Sequence, residues 1–174
     1  MTFDQLTAAL SDRFGEAVVR THTESRDPYV VVAADSLAEI MRTLRDEPPL
    51  AMDTLSNLCG VDYLEPEAKL AKKFPYEPHI EVVYHLFSLT HRHRLTVKVE
   101  LPRPSDAHEQ PSVPSVASIW TAADWREREC FDLYGIRFAG HPNLERILCP
   151  DDWVGHPLRK DYEMPLEYDG IRGR

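Results

Sequence analysis

Apolar residues recur at three- and four-residue steps near the start of the chain, at Phe3, Leu6, Leu10 and Phe14. That period predicts an amphipathic helix ending at Gly15. Two strands are expected next, over Ala17–His22 and Tyr29–Ala33, joined by a polar turn through Asp27-Pro28. Ser36 and Glu39 have the spacing of a capping box, and Leu37, Ile40, Met41 and Leu44 follow on one face. Pro48-Pro49 closes that second helix.

Residues 50–64 read as a short helical turn followed by a strand, and 65–78, with three prolines, as a loop. The clearest strands are Ile80–Leu89 and Leu95–Leu101. In the second, Leu95, Val97, Val99 and Leu101 alternate with Thr96, Lys98 and Glu100, so one face is buried and the other wet. The first is apolar on both faces, as for a strand inside a sheet. The segment 90–94 joins them as a hairpin without the Asn-Gly of a two-residue primed turn. A proline-rich loop is expected over 102–114, and another short strand or extended segment over Ser115–Trp120. A helix then runs from Ala122 to Tyr134 with Thr121 as N-cap, Asp124 three residues on and Gly135 at the left-handed C-terminal position.

These elements predict an α+β fold. Its sheet is mixed or antiparallel, its helices lie mainly on one face, and an extended irregular C-terminal tail follows. Residues 1–135 are expected to form the α+β domain and 136–174 the tail. The tail has no amphipathic period but carries Phe138, Leu144, Ile147, Leu148, Trp153, Leu158, Tyr162 and Leu166. Apolar groups at that density need a surface to lie on, in this chain or in a partner.

Composition narrows the function classes. The chain has 174 residues, 43% hydrophobic, and a formal net charge of -9. An acidic surface argues against nucleic acid and against simple docking on anionic lipid. No stretch has the length and hydropathy of a membrane helix. Met1-Thr2-Phe3-Asp4 has neither a basic leader nor an apolar signal core, so a cytoplasmic protein that meets membranes through partners is expected. Cys59, Cys130 and Cys149 are three and well separated, which argues against a disulfide framework.

The chemistry on view is modest. On a helix, Glu127 and Glu129 point nearly opposite ways and cannot line one small site. Asp124, Arg128 and Asp132 share a face and suggest an ion-pair ladder. Asp132 then lies near the negative helix end, mildly unfavourable for an acid, and an external cation or a partner's donor is expected to compensate. His91 and His93 on one side of a strand, or Cys130, His141, Cys149 and His156, are the available metal sets, but neither has a compact zinc spacing. No phosphate-binding glycine motif and no nucleophile elbow occurs, and Cys130 reads as a packed thiol. His156, Arg159 and Lys160 form a local basic cluster, either a solvated patch or donors to an acidic partner. From the residues alone, a binding module is favoured over an enzyme.

Two blocks carry a family resemblance. Ala122-Ala123-Asp124-Trp125-Arg126-Glu127-Arg128-Glu129-Cys130-Phe131-Asp132-Leu133-Tyr134-Gly135-Ile136, continued by His141-Pro142-Asn143-Leu144 and Arg146-Ile147-Leu148, resembles the signature of the 30-kilodalton subunit of respiratory complex I. Gly155-His156-Pro157-Leu158-Arg159-Lys160-Asp161-Tyr162 is similar to that family's second block. Val61-Asp62-Tyr63, Val82-Val83-Tyr84-His85-Leu86 and Ser118-Ile119-Trp120 also resemble family positions. Glu145, Cys130 and Glu163-Met164 depart from the usual pattern.

The resemblance implies a non-redox scaffold subunit in the peripheral arm of a proton-pumping NADH:quinone oxidoreductase, on the cytoplasmic side of the plasma membrane. It implies packing against the 49-kilodalton-type, quinone-site subunit and the small subunit with the terminal iron–sulfur cluster. NADH, FMN, Fe-S clusters and quinone would then belong to other chains of the complex, with no cofactor bound by this one. Glu127, Arg128, Glu129, Asp132, Gly135, His141, Pro142, Arg146, Gly155, His156, Pro157, Arg159, Lys160, Asp161 and Tyr162 are the positions it assigns to fold support and partner contact. The alternatives are the corresponding subunit of a membrane-bound hydrogenase or F420H2 dehydrogenase, and a free-standing metal- or Cys-dependent enzyme.

Overall fold

The computed structural model describes residues 1–65, 70, 75–104 and 110–172. Parts of the expected loops at 65–78 and 102–114 lie outside the described residues. The elements in chain order are α1 (Phe3–Phe14), β1 (Val18–His22), β2 (Tyr29–Val32), α2 (Leu37–Asp46), β3 (Thr54–Tyr63), β4 (His79–Phe87), β5 (Arg94–Pro102), β6 (Ser112–Pro114), α3 (Ala123–Tyr134), β7 (Arg137–Ala139), β8 (Glu167–Tyr168) and β9 (Ile171–Arg172).

Five strands form one sheet in the order β1-β2-β5-β4-β3. The β2–β5 pairing is parallel and the others are antiparallel, which makes the sheet mixed. The register of β4 on β5 places Ile80 opposite Leu101, Val82 opposite Val99, Tyr84 opposite Val97 and Leu86 opposite Leu95. All eight are buried, so this face is the core face. Leu6 and Leu10 of α1, Ile40, Met41 and Leu44 of α2 and Cys130 of α3 pack in the same cluster. The α+β architecture with helices on one face therefore matches the sequence pattern.

The β4–β5 turn is longer than a primed two-residue loop. Ser88 N–H donates to His93 O at 2.9 Å and Arg92 N–H to Ser88 O at 2.8 Å. Arg92 itself takes the left-handed backbone, φ 54°, that a glycine would ordinarily supply.

Several local expectations change. The capping box belongs to α1, where Gln5 N–H donates to Thr2 Oγ1 and Thr2 N–H to Gln5 Oε1. Ser36 makes no side-chain cap because it ends a 3-10 turn, Ala34–Ser36, and is already helical. A capping side chain needs an extended backbone at its own residue. Thr121 fails as N-cap because the cap position is Ala122, also helical and without a side-chain bond. Ser115–Trp120 is a turn rather than an extended segment, with Ile119 and Trp120 N–H both donating to Val116 O. The expected helical turn before β3 is the turn in which Leu50 and Ala51 N–H donate to Glu47 O. Two short pairings escape the pattern reading: β6 pairs in parallel with β7, and β8 with β9 as a small hairpin.

Among the described residues, no helix is long and apolar enough to cross a membrane.

Candidate partner interface on helix α3 and the C-terminal strap

An α-helix leaves its last four carbonyls without intrahelical partners and concentrates negative potential there. In α3 all four are capped by the chain downstream. Gly135 N–H donates to Phe131 O at 2.9 Å, and Leu158 N–H to Leu133 O at 3.0 Å. His156 Nδ1 lies 2.9 Å from Asp132 O, and Arg159 Nε donates to Tyr134 O at 2.7 Å. A carbonyl only accepts, so His156 carries its proton on Nδ1. The segment 146–162 thus runs back over the end of α3 as a strap.

Asp132 is the anchor. Its side chain is fully buried, and burial alone would raise its pKa. Backbone N–H groups of Ile147, Leu148 and Cys149 converge on Oδ2 at 3.1, 2.7 and 2.9 Å. Arg146 Nη1 meets Oδ1 at 2.8 Å, and its Nη2 reaches on to Gly155 O at 3.0 Å. Together these donors hold the carboxyl below its ordinary value. The expected Asp124–Arg128–Asp132 ladder does not form. Arg128 instead donates from Nε to Glu145 O at 3.2 Å and lies over the Trp125 ring. The donor that Asp132 requires comes from within the chain.

Gly135 joins helix to strap at φ 69°. A Cβ there would run into the His156 ring, 2.5 Å from Cδ2, and would stand 2.8 Å from Arg159 Nη2. Burial lowers the pKa of His156, which keeps it neutral in this position.

The strap is also tied to the sheet. Lys160 N–H donates to Asp62 Oδ2 at 2.8 Å, although the Lys160 side chain is exposed. Arg103 bonds Asp62 through one amino group and lies 2.7 Å from Asp161 through the other. On the same side Gly60 of β3 lets the Tyr134 ring approach to within 2.7 Å of where a Cβ would stand. Asp62, Arg103 and Gly60 are not among the site positions that the sequence suggests. Asp62 lies inside one of the family-like blocks, but nothing in its local spacing marks a partner 98 residues away.

The N-terminal half of α3 has a second buried carboxylate. Glu127 accepts from Ser115 Oγ at 2.5 Å and Val116 N–H at 2.7 Å. His141 accepts from Asn143 N–H at Nδ1, so its Nε2 carries the proton and donates to Asp124 O at 3.2 Å. As expected for residues two apart, Glu129 points elsewhere and pairs with Arg126.

Residues 30–168 match the family model described as respiratory-chain NADH dehydrogenase, 30 Kd subunit. The chain belongs to this family. It is 45% identical over 164 residues to the NADH-quinone oxidoreductase C subunit of Roseiflexus sp. (strain RS-1), covering 94% of this chain and 83% of that protein. The C subunit of the Coxiella burnetii (strain RSA 331 / Henzerling II) enzyme is 38% identical, covering 97% of this chain and 83% of the relative. Among solved structures, a trypsin-resistant fragment of Nqo5 superposes with TM-score 0.61 at 27% identity, over 80% of this chain and 99% of the fragment. A chain of the membrane-bound sulfane sulfur reductase, an archaeal respiratory membrane complex, gives the same TM-score at 23% identity over 92% of this chain and 85% of that one, and shares the fold.

In this 30-kilodalton family member, the remaining suggested positions Gly155, Pro157 and Tyr162 lie in the same strap. Gly155, at φ 83°, leaves room for the Tyr162 ring. Pro157 is half-buried in the turn that follows His156, whereas Pro142 is exposed. Cys130, His141, Cys149 and His156 do not come together as a metal-sized group among the described residues. His91 and His93 stack on each other, and their Nε2 atoms lie 2.7 Å from Pro48 O and 2.6 Å from Leu50 O. Cys130 is a buried thiol whose pKa burial pushes far up, the opposite of an activated nucleophile.

Burial raises the Glu127 pKa from 4.5 to about 7. An acid raised on folding contributes stability that is full below the unfolded pKa and lost as pH climbs through the folded one. Denaturant unfolding is therefore expected to show a stability loss between pH 5 and pH 8 on the order of 2 kcal/mol from this residue. Glu127→Gln should flatten that part of the profile, and an unchanged slope would remove Glu127 as its source.

Proposed function

We propose that the chain acts as a scaffold in the peripheral arm of a proton-pumping NADH:quinone oxidoreductase, holding the quinone-site subunit and the terminal-cluster subunit in register. On this reading electrons pass from NADH through FMN and Fe-S clusters to quinone in the partner chains. The chain itself supplies no catalytic residue or cofactor and sits at the cytoplasmic side of the membrane.

One observation carries the proposal. The strap and the hairpin after it present Leu148, Val154, Leu158, Met164, Leu166 and Ile171, each at least 48% exposed. Exposed apolar residues concentrated on one segment mark an interaction surface. The strap is held by the buried Asp132, the four capped carbonyls and the Asp62–Arg103 link, so its backbone is ordered before any partner arrives. Preorganisation lowers the entropy cost of docking. Family membership supplies the kind of assembly, and the relatives' names supply NADH and quinone.

The structure also divides the basic cluster. Arg159 is bound to the helix end, so its reversal should disturb folding. Lys160 projects outward, so its reversal should disturb assembly alone.

The test is a set of charge substitutions on the exposed apolar positions, Val154→Glu, Leu158→Glu and Leu166→Glu, in the tagged chain expressed in its own cells. The melting temperature of the isolated chain should stay within about 2 °C of wild type, since exposed positions contribute little to stability. Recovery of the other subunits with the triple variant should fall at least about tenfold, because central apolar contacts carry most of an interface's binding energy. Undiminished recovery with the triple variant would rule the strap out as a docking surface.

A further inference from the structure

The sheet face away from the core carries a second cluster, on β4 and β5, that the scaffold reading leaves unused. His79 and Glu81 are two apart on β4 and so share a face, and Glu81 stands directly opposite Glu100 of β5. Like charges at directly opposed positions destabilise a sheet unless cations offset them, and here Lys98 pairs with Glu81 and Arg20 with Glu100. Neither carboxylate is freely hydrated: the Glu81 side chain is 4% exposed and that of Glu100 27%.

His79 Nδ1 lies 2.6 Å from Glu77 O. Because the carbonyl only accepts, that bond fixes the proton on Nδ1. The ring's Nε2 then faces Glu81 Oε1 at 3.5 Å and Glu100 Oε1 at 3.9 Å. Nε2 is buried and has no hydrogen-bond partner among the described residues. Nε2 and one oxygen from each carboxylate, three potential ligand atoms, thus lie within 4.8 Å of one another. Two ligands of a tetrahedral zinc ion stand about 3.3–3.6 Å apart, given metal–ligand distances near 2.0–2.2 Å. Small rotations of the two carboxylates close the difference.

The surroundings match what such a site requires. A histidine ligand is normally oriented by a second acceptor on its other nitrogen, and Glu77 O is that acceptor. The Tyr63 ring stacks on His79 at 4.5 Å and 8°, which fixes the ring plane. The donors line a cavity of about 360 Å³, with Tyr29, Tyr63 and Lys98 on its wall. Lys98 takes the other oxygen of Glu81, Oε2, at 2.9 Å, and leaves Oε1 to the site.

We propose that His79, Glu81 and Glu100 form a binding site for a divalent transition ion of the zinc class, with water completing the coordination. One imidazole selects against Mg²⁺ and Ca²⁺, and two carboxylates with no thiolate select against Cu(I). Arg20, on the sheet-edge strand β1, is the competitor. It forks onto both oxygens of Glu100 and is 44% exposed. Metal entry requires it to swing away, so it sets the affinity.

The test is calorimetric titration of the full-length chain with ZnCl₂, with MgCl₂ as the selectivity control and circular dichroism to establish folding. The expected result is one strong Zn²⁺ equivalent and no comparable Mg²⁺ binding. Affinity should fall about tenfold or more in His79→Ala and Glu81→Gln, and rise in Arg20→Ala. His91→Ala, in the β4–β5 turn, should bind as wild type does. If His79→Ala fails to fold, Arg20→Ala decides, since an exposed edge position leaves the core untouched. Absence of Zn²⁺ uptake by wild type, equal affinity in folded His79→Ala, or no gain in Arg20→Ala would overturn the site.

Discussion

Replacing Asp132 by alanine is expected to lower the unfolding free energy by about 3–5 kcal/mol, the cost of removing one partner from a buried, hydrogen-bonded ion pair. The carboxylate gathers the N–H groups of Ile147, Leu148 and Cys149 as well as the Arg146 guanidinium. Once Oδ1 and Oδ2 are gone the three N–H groups lose this acceptor, while Arg146 keeps only the Asp132 and Gly155 carbonyls. For a chain of this length the melting temperature should drop on the order of 10 °C. The loss should be local first: limited proteolysis of the variant is expected to cut between residues 146 and 162 while the five-stranded sheet stays protected. Asp132→Asn keeps the shape and part of the hydrogen bonding, so its effect should fall between wild type and alanine. Stability within about 1 kcal/mol of wild type for Asp132→Ala would show that the strap is held by other means.

The second large effect is expected at Gly135. Alanine there takes on two separate penalties. The left-handed backbone, φ 69°, costs an L-residue about 1–2 kcal/mol. The new Cβ would also run into the His156 ring, which is committed to the helix end and cannot withdraw without uncapping Asp132 O. Overpacking of that kind costs roughly 1–3 kcal/mol, so the sum is about 2–5 kcal/mol. Gly140 provides the internal comparison, since its φ of 82° is equally left-handed but nothing among the described residues lies within 4 Å of a Cβ there. Gly140→Ala should show the conformational penalty alone. Equal melting temperatures for the two variants would mean that the His156 contact carries no energy.

The elements legible in the sequence are those with a clean period. The alternation from Leu95 to Leu101 defines both the strand and its buried face, and the three- and four-residue steps from Phe3 to Phe14 define α1. Capping is harder to read. Thr2-x-x-Gln5 and Ser36-x-x-Glu39 share one signature, and only the backbone angle at the first residue separates the real box from the apparent one. The family blocks draw attention to Asp132, Gly135, His156 and Arg159. Spacing cannot show that these residues face each other, because their partners come from an irregular segment up to 25 residues downstream. Asp62 and Arg103 are out of reach for the same reason on a longer scale. His79, Glu81 and Glu100 are hidden differently. They occupy ordinary outward positions of alternating strands, and only the register of β4 on β5 brings them together.

The family resemblance places the weight of the function on α3 and the tail, where periodicity shows only an ion-pair ladder and a stretch of irregular chain. The structure gives that stretch a physical reason. It caps α3 with its backbone and with His156 and Arg159, while Leu148, Val154, Leu158 and Leu166 stay exposed. That division is what the segment's proposed docking role requires.

Whether it is covered by the partners proposed above is decided by a gentle-detergent pull-down of the tagged wild-type chain from its own membranes, with identification of every protein recovered. A scaffold in the peripheral arm should bring with it a quinone-site subunit, a small cluster-bearing subunit and the flavin-bearing NADH-oxidising module. Recovery of the chain alone, or with nickel-hydrogenase subunits in place of an NADH-oxidising module, would contradict that role.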